Sequence, residues 1–510
     1  MATTYTVFST DVVQNTPIHS AVAANDEILL VRQGIELIST DASQAITSIG
    51  SISDGGSMQL TNHGFIASAG SAINYNVSTG FDLYNGATGV IGSYGSGSGI
   101  STYTDYAAFQ NAGEIFGGRG VYLYSAPGAS VDNSGTITGT GTAEYDAAIS
   151  TYSFGNPASD APIRITNSGS LIGAHHSEAN GGGQWAIYMD GYLGTLAYIR
   201  AHVINSGVIH GNIQMGRYAD TIGNSADILG DLILETGDDI VSNSGLIDGD
   251  VLLGDGADSY FGQGQSVVTG QVLGAEGDDT LAGGDLADDL DGGIDNDLLV
   301  GRDGSDLLVG DSGDDMLLGG DGNDSLDGGT GNDTLNGNDG SDNIVGDTGN
   351  DILVGQDGSD FLDGGADNDT MDGGNGDDTL EGGSGNDILR GRAGEDELAG
   401  GEGLDYLTGG QGADSFVFRS IADAGIGATR DQILDFEQEV DVIVVAGLSP
   451  GVFEFKGTAA FAPSGNPELR LNETATGSTI VQIDNNGDGV IDAEIRVGGV
   501  TGLTADDFVL

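Results

Sequence analysis

The stretch GGDGNDSLDGGTGNDTLN, residues 319–336, contains the pattern that decides the fold of this 510-residue chain. It holds two copies of a nine-residue unit that is repeated sixteen times, without insertion, between Gly274 and Val417. The first position of every copy is Gly, the sixth is Asp and the eighth is apolar. A strict short period indicates a solenoid, and this one predicts a parallel β-roll.

The unit combines turn residues with one inward-pointing apolar side chain. Gly at the first, often the second and usually the fourth position allows a tight turn with positive φ. Two units form one coil, and stacking of coils places every second Asp in a column at a spacing of about 4.8 Å. Carboxylates at that spacing repel each other, so the pattern predicts calcium, which binds carboxylate and carbonyl oxygens, between successive turns. A disordered linker is the alternative, but a linker would not keep an apolar residue in phase through every copy.

The predicted calcium ligands are the Asp residues at the sixth position. They are Asp279, Asp288, Asp297, Asp306, Asp315, Asp324, Asp333, Asp342, Asp351, Asp360, Asp369, Asp378, Asp387, Asp396, Asp405 and Asp414. Eight coils have roughly seven gaps on each side, which predicts up to about fourteen ions. Leu286, Asp295 and Asp367 replace the fourth-position Gly. Arg302 and Arg392 replace the second-position Gly, and we expect all five turns to bind calcium more weakly.

This repeat segment resembles the RTX family of secreted calcium-binding proteins. In that family the sixth-position Asp and the turn carbonyls bind calcium between adjacent coils. The resemblance implies calcium-dependent folding and an extracellular or cell-surface location.

The charge of the chain excludes two classes of partner. There are 78 Asp and Glu residues against 13 Lys and Arg, a net charge of −65. Such a chain is not expected to bind nucleic acid, whose phosphates attract cations, or an anionic membrane surface. Between Gly274 and Val417, 38 acidic residues face only three Arg, a charge of −35, so this segment would self-repel without a counter-cation.

Stabilisation and export must depend on features other than disulfides and an N-terminal leader. The chain has no Cys, so in an exported protein metal ions would take the stabilising role of disulfides. No apolar run approaches the length of a transmembrane helix. The N-terminal sequence MATTYTVFSTDVVQNT lacks the basic region and apolar core of a secretory signal peptide. We therefore expect the export signal to lie elsewhere.

A looser repeat precedes the nonapeptides. It consists of Asn-x-Gly followed by an alternating apolar pair, and it starts at Asn62, Asn85, Asn111, Asn133, Asn167, Asn205, Asn224 and Asn243. Most spacings are near that of a right-handed parallel β-helix coil, and the longest two suit coils with inserted loops. Stacked Asn side chains can satisfy one another and the backbone. An antiparallel β-sandwich is the alternative, but its regularly spaced hairpin signals are not seen.

The predicted fold class is all-β, a right-handed parallel β-helix that continues into a calcium-binding parallel β-roll with a C-terminal β cap. We expect an N-terminal cap at 1–45, the β-helix at 46–273, the β-roll at 274–418 and the cap at 419–510. Helical periodicity is absent. Asp220, Asp239, Asp258 and Asp279 each follow a Gly by nine residues. This phase predicts one Asp column that crosses from β-helix to β-roll, with Asp258 as a further calcium ligand.

The C-terminal segment resembles the end of serralysin-type RTX proteins. The matching residues are Asp431, Ile433, Asp435, Phe436, the hairpin from Asp484 to Asp492, and the terminal pair Asp507 and Phe508. Glu439 and Val444 stand where that family usually has Gly and Asp. The resemblance implies that the segment closes the open end of the roll and carries the uncleaved signal for type I secretion machinery.

A second metal motif lies in that hairpin. Asp484, Asn486, Asp488 and Gly489 match the first half of an EF-hand loop, but position twelve is Ile495 rather than Glu. We interpret the segment as a hairpin turn, with Asp484 and Asp488 as further candidate calcium ligands.

The function of the β-helix is left open between binding and catalysis. Candidate catalytic residues lie in the widest-spaced coils, and they are His175, His176, Tyr188, Asp190, Arg200 and His202. RTX repeats are attached to β-helical alginate epimerases, so a polysaccharide lyase or C5-epimerase acting on uronate polymers is one hypothesis. No HExxH motif occurs, so a metalloprotease is excluded. We favour the other hypothesis, a module for surface, matrix or polysaccharide binding. The Tyr residues between Tyr75 and Tyr124 either stack on sugar rings or pack on the surface of the solenoid.

Overall fold

The computed structural model confirms an all-β chain built from parallel strands. It describes residues 4–8, 10, 12–14, 19–21, 27–39, 46–49, 58–76, 80–103, 106–124, 128–141, 146–153, 161–173, 185–191, 200–445, 448 and 452–510. In these ranges the only helices are short 3-10 turns. None of the helices there is long and apolar enough to span a membrane. The chain forms two compact units, Met1–Glu276 and Gly277–Leu510.

The first unit is a β-helix with three parallel sheets. The first sheet contains Thr4–Phe8, Glu27–Val31, Met58–Asn62, Phe81–Asn85, Ala107–Asn111, Ser130–Asn133, Ile163–Asn167, Ala201–Asn205, Thr221–Asn224, Ile240–Asn243 and Ser259–Gly262. The second contains Val12–Gln14, Glu36–Ser39, Phe65–Ser68, Val90–Ser93, Glu114–Gly117, Thr136–Gly139, Ser170–Ile172, Val208–His210, Asp227–Leu229, Leu246–Ile247 and Val267–Val268. The third contains His19–Ala21, Ile46–Ile49, Ile73–Asn76, Ile100–Tyr103, Val121–Tyr124, Ile149–Ser153, Trp185–Gly191, Asn212–Gln214, Leu232–Ile233, Val251–Asp255 and Val272–Glu276.

These strands already include the segment predicted to be an N-terminal cap. Thr4–Phe8 pairs in parallel with Glu27–Val31, and Glu27–Val31 pairs with Met58–Asn62. The described strands before residue 46 therefore belong to the same ladder as those after it. A separate cap at 1–45 stays a prediction.

Buried Asn side chains stack along the β-helix as predicted. The Nδ2 of each Asn donates to the Oδ1 of the Asn one coil later, over 2.8–2.9 Å, from Asn62 through to Asn243. The same amides also donate to backbone carbonyls, as Asn133 does to Gly135 at 3.2 Å. The register does not change where the sequence spacing widens, as between Asn133 and Asn167, because the extra residues lie between strands.

The second unit begins with a roll of two parallel sheets. One contains Thr280–Ala282, Leu298–Asp303, Met316–Asp321, Thr334–Asp339, Ile352–Asp357, Thr370–Asn375, Ile388–Ala393, Tyr406–Gln411 and Gln432–Ile433. The other contains Asp289–Ile294, Leu307–Ser312, Ser325–Asp327, Asn343–Val345, Phe361–Ala366, Thr379–Gly385, Glu397–Ala399, Glu402–Gly403, Ser415–Val417, Val442–Val444 and Phe508–Val509. Every eighth-position side chain from Leu281 to Phe416 is fully buried between the sheets.

The C-terminal segment extends both sheets of the roll. Glu468–Glu473, Thr479–Asp484 and Ala493–Val497 form an antiparallel meander, and Glu454–Phe455 pairs in parallel with its first strand. Ala493–Val497 pairs in parallel with Gln432–Ile433. The remaining elements are the 3-10 turns Ile421–Asp423, Gly427–Thr429 and Ala505–Asp507.

Candidate metal centre

The turns of the roll hold each sixth-position Asp with a repeated backbone conformation. In the turn from Gly310 to Asp315, Asp311 has φ 67° and Gly313 has φ 149°. The second position is left-handed in most turns even where the residue is not Gly. Such residues are Arg302, Asp311, Asn338, Asp347, Gln356 and Arg392. A backbone that L-residues avoid is thus kept throughout the repeat, which indicates that the stacked turn imposes it.

The Asp side chains form two columns, one at each edge of the roll. The backbone N–H of each Asp donates to the Oδ1 of the Asp one coil later, over 2.7–3.1 Å. One column runs through Asp279, Asp297, Asp315, Asp333, Asp351, Asp369, Asp387, Asp405 and Asp431. The other runs through Asp288, Asp306, Asp324, Asp342, Asp360, Asp378, Asp396, Asp414 and Asp441.

In most of these carboxylates the second oxygen is buried and receives no hydrogen bond. This Oδ2 has no donor in Asp297, Asp306, Asp315, Asp324, Asp333, Asp342, Asp351, Asp360, Asp369, Asp378, Asp387, Asp396, Asp405, Asp414 and Asp431. These residues are at most 3% exposed. A buried carboxylate oxygen without a partner is costly, so the columns call for a positive charge.

The space beside these oxygens is lined by backbone carbonyls. An ideal Cβ on Gly310 would lie 2.5 Å from Asp315 Oδ2 and 2.6 Å from the Gly328 carbonyl oxygen of the next coil. First-position Gly is required because any side chain would fill the point where these oxygens converge. The backbone carbonyl oxygens beside each Asp are therefore candidate ligands together with the carboxylate. Carboxylate and carbonyl oxygens from successive coils are the donors that calcium takes, and the residues fit that ion.

The electrostatics of the columns favour a cation beside the carboxylates. Burial raises the pKa of Asp297 to about 8, and repulsion from Asp279 and Asp315 adds to the increase. Burial likewise raises the pKa of Asp378 to about 7. Bound calcium would supply the charge that keeps these groups ionised, since ligating carboxylates must be deprotonated.

The β-helix contains an Asp column with the same hydrogen bonds but a different lining. Asp220 N donates to Asp239 Oδ1, and Asp239 N to Asp258 Oδ1, both over 2.6 Å. Five residues before Asp239 and Asp258 stand Leu234 and Leu253, both fully buried, where the roll has Gly. A side chain therefore takes the position of the ion-binding space in these coils. A calcium ion between the turns of Asp258 and Asp279 stays a prediction.

The carboxylate of Asp484 is already hydrogen-bonded in its hairpin. Asp484 Oδ1 accepts the N–H of Gly487 at 2.7 Å, and its Oδ2 accepts that of Gly489 at 2.7 Å. Asp488 Oδ1 accepts the N–H of Val490 at 2.8 Å. This is the bonding of a turn, and calcium binding by Asp484 and Asp488 stays a prediction.

The described candidate catalytic residues lie on two sheets of the β-helix. His175 and His176 lie outside the described residues, and for Asp190 only the strand position is described. Tyr188 is buried in the strand Trp185–Gly191 of the third sheet. Arg200 and His202 lie instead at the first sheet.

A groove brings Arg200 and His202 together with residues that the sequence did not identify as catalytic candidates. It is also lined by Arg164, Asp220 and Asp238. Arg164 and His202 are register partners on adjacent strands. The spacing of Asn167 and Asn205 in the ladder places these two residues side by side, so the sequence carried the signal. Arg164 and Arg200 are exposed, and with Asp220 and Asp238 they give the groove charged groups of both signs.

Comparisons with known proteins agree with the repeat geometry. The family model for the RTX calcium-binding nonapeptide repeat (4 copies) matches residues 273–308, 282–317, 309–344, 318–353, 345–380 and 381–416. The chain is also similar to the solution structure of the AlgE6R3 subunit from the Azotobacter vinelandii mannuronan C5-epimerase. That similarity is 31% identity over 28% of this chain and 78% of that chain, with a TM-score of 0.22. No curated protein matches the chain. Residues 273–416 therefore consist of RTX calcium-binding nonapeptide repeats.

Proposed function

We propose that this protein is a secreted solenoid whose roll folds when it binds calcium outside the cell. The observation that carries the proposal is the pair of buried Asp columns in which one carboxylate oxygen after another has no donor. A segment with a charge of −35 cannot bury these groups without cations. Extracellular modules bind calcium near 10⁻⁴ to 10⁻³ M, roughly. At cytosolic calcium the roll would stay unfolded, which is the state that an exporter can thread.

Circular dichroism of the full chain tests this proposal. We predict that the β signal rises cooperatively when calcium replaces excess chelator at neutral pH, because metal binding and folding are coupled. Magnesium is the control, since it demands octahedral geometry and dehydrates reluctantly. An identical β signal in calcium and in chelator would contradict calcium-dependent folding.

The β-helix is proposed to bind extracellular polysaccharide or cell-surface matrix. Tyr84 and Tyr94 are 42% and 68% exposed. Their rings contact His63 and Phe116, and the exposed part of each ring is proposed to stack on sugars. Tyr75 does not share this role, because it is buried and stacks on Phe81 with centroids 4.7 Å apart.

The groove with Arg164, Arg200 and His202 favours a second candidate function, a lyase or C5-epimerase acting on uronate polymers. Guanidinium groups recognise carboxylates, and His can move a proton. Incubation with alginate and with pectate, followed by unsaturated-uronate absorbance and epimer ratio, separates this candidate from binding alone. If the groove is catalytic, R200Q abolishes turnover, whereas R217Q, at an exposed Arg outside the groove, leaves it unchanged.

A further inference from the structure

The turn from Gly283 to Asp288 differs from the other turns of the roll. Its fourth-position residue, Leu286, is not left-handed, whereas Gly304 one coil later has φ 146°. Asp288 Oδ2 accepts the N–H of Gly284 at 2.6 Å. The corresponding oxygen of the next seven carboxylates in this column, from Asp306 to Asp414, has no donor. In the Gly283–Asp288 turn this oxygen therefore already has a hydrogen-bond partner.

A cationic side chain from the next coil reaches this turn. Arg302 stands at the second position of the turn one coil later, with φ 83°. Its Nη1 donates to the Gly283 carbonyl oxygen at 2.7 Å. Burial raises the pKa of Asp288, and the charge of Arg302 opposes that increase. The guanidinium thus connects two successive coils beside a column carboxylate, as a calcium ion would.

Arg392 occupies the same position of its own repeat but makes a different contact. Its Nε lies 2.9 Å from Asp372 Oδ1, and its Nη2 lies 2.5 Å from Asp372 Oδ2. The Arg392 side chain is 58% exposed. In the turn that Arg392 overlies, Asp378 keeps an Oδ2 without a donor. This Arg therefore stays on the surface and leaves the carboxylate of the turn to a cation.

The residue that precedes the turn beneath each Arg explains why Arg302 and Arg392 make different contacts. Asp372 directly precedes the turn under Arg392, and its carboxylate holds the guanidinium outside. The corresponding residue under Arg302 is Ala282, which is 5% exposed and offers no acceptor. Arg302 consequently turns to the main chain of Gly283.

We propose that Arg302 replaces a calcium ion in the gap between the Gly283–Asp288 and Gly301–Asp306 turns. The proposal rests on calcium binding by the regular turns and assigns one gap that needs no metal. Because the guanidinium is tethered to the chain, this gap of the folded roll needs no ion from solution. The roll then binds one ion fewer than it would if this gap also held calcium.

Crystals grown with calcium test the proposal through anomalous difference maps recorded at long X-ray wavelength. In the wild type we expect calcium peaks at regular turns, such as the one beside Gly310 and Asp315, and the Arg302 guanidinium without a peak in the assigned gap. In L286G/R302G, which restores both motif glycines, a peak appears in that gap. R392G is the matched control and leaves the assigned gap without a peak.

Bound calcium per chain, measured by plasma mass spectrometry after gel filtration, is the solution readout. L286G/R302G is expected to bind one ion more than the wild type. A calcium peak in the wild-type gap, with Arg302 turned outward, would overturn the assignment while supporting calcium binding by the roll. Absence of peaks from every turn would instead overturn the proposed function. The wild-type map decides between these outcomes even if the double variant does not fold.

Discussion

Two adjacent carboxylates in one repeat illustrate how position decides the role of a residue. Asp315 is buried in a column, whereas the exposed Asp314 accepts the N–H and Nδ2 of Asn332 at 2.7 and 3.0 Å. We predict that D315N raises the calcium concentration at the folding midpoint about tenfold, or about 1.4 kcal/mol. Asn keeps the oxygen that accepts the Asp297 N–H but loses the charge that attracts calcium.

The matched control for that prediction is D314N. It removes the same charge one residue away, on the exposed surface, where screening makes single charges weak. Calcium titrations followed by circular dichroism compare the two variants. Equal midpoints would show that the columns attract calcium only through overall charge.

Burial of the columns also predicts an unusual pH dependence without calcium. The pKa of Asp297 is raised to about 8 in the folded roll, from an ordinary value of 3.8. The folded state therefore binds more protons than the unfolded state between these values. Stability without calcium is present in full below about pH 4 and is lost as the pH rises toward about 8.

Calcium-depleted protein should accordingly regain β signal on acidification. We predict more β structure at about pH 5 than at about pH 8 in calcium-free buffer, measured by circular dichroism. If the calcium-free protein has as much β structure at the higher pH as at the lower pH, or more, then repulsion among the buried carboxylates is not the reason that folding requires calcium. With calcium bound, the dependence is expected to reverse, because protons compete with the ion.

At the residue level, the regular spacing made most of the column Asp residues predictable from the sequence. The last residue of each column could not be predicted in this way, because its spacing is irregular. Asp431 and Asp441 follow their column partners by 26 and 27 residues instead of 18, so no period identified them. Arg302 and Arg392 look equivalent in the repeat. Their contacts differ because Ala282 precedes the turn beneath Arg302, whereas Asp372 precedes the turn beneath Arg392. Each Arg is brought next to that residue only when the coils stack.

The Asn ladder is the main polar element of the β-helix, and its interior members should be needed for stability. Asn133 accepts from Asn111 and donates to Asn167, over 2.8 and 2.9 Å. We predict that N133A destabilises the β-helix by about 1–3 kcal/mol, because both ladder partners lose a buried hydrogen bond. The exposed neighbour Asp132 gives the control variant D132A, which should change stability far less.

Fluorescence of Trp185 is the measurement suited to this comparison. It is the only Trp in the chain and lies in a strand of the β-helix, so its signal reports that unit. Denaturant midpoints of N133A and D132A that coincide would contradict a stabilising ladder. The ladder was predictable because Asn-x-Gly recurs in the sequence. The third sheet was not, because its strands do not directly follow an Asn-x-Gly.

At the scale of the whole molecule, Asp columns with the same backbone-to-carboxylate hydrogen bonds occur in both units. The column of the β-helix includes Asp239 and Asp258, and one column of the roll includes Asp279 and Asp297. The sequence spacing of these residues predicts a single column, and this continuity stays a prediction. The residue five positions before the column Asp differs, since it is Leu253 in the β-helix and Gly310 in the roll. The same hydrogen bonds therefore do not by themselves imply that both columns bind calcium.

Export is the property that concerns the whole chain, and we predict that its signal lies in the C-terminal segment. Removal of residues 451–510 should retain the protein inside a cell that carries a matching type I exporter. That deletion also removes Ala493–Val497 and Phe508–Val509, which pair with strands of the unit that remains. Misfolding could therefore mimic an export defect, so a reporter fused to residues 419–510 is needed as well.

The reporter separates the two effects because its own fold does not depend on the roll. We expect the fusion in the medium only when the exporter is present, while the unfused reporter stays inside. For the full chain, low cytosolic calcium favours export, since the strongly acidic roll remains expanded until calcium outside the cell folds it. Secretion of the 451–510 deletion at the normal level would show that the signal lies elsewhere in the chain.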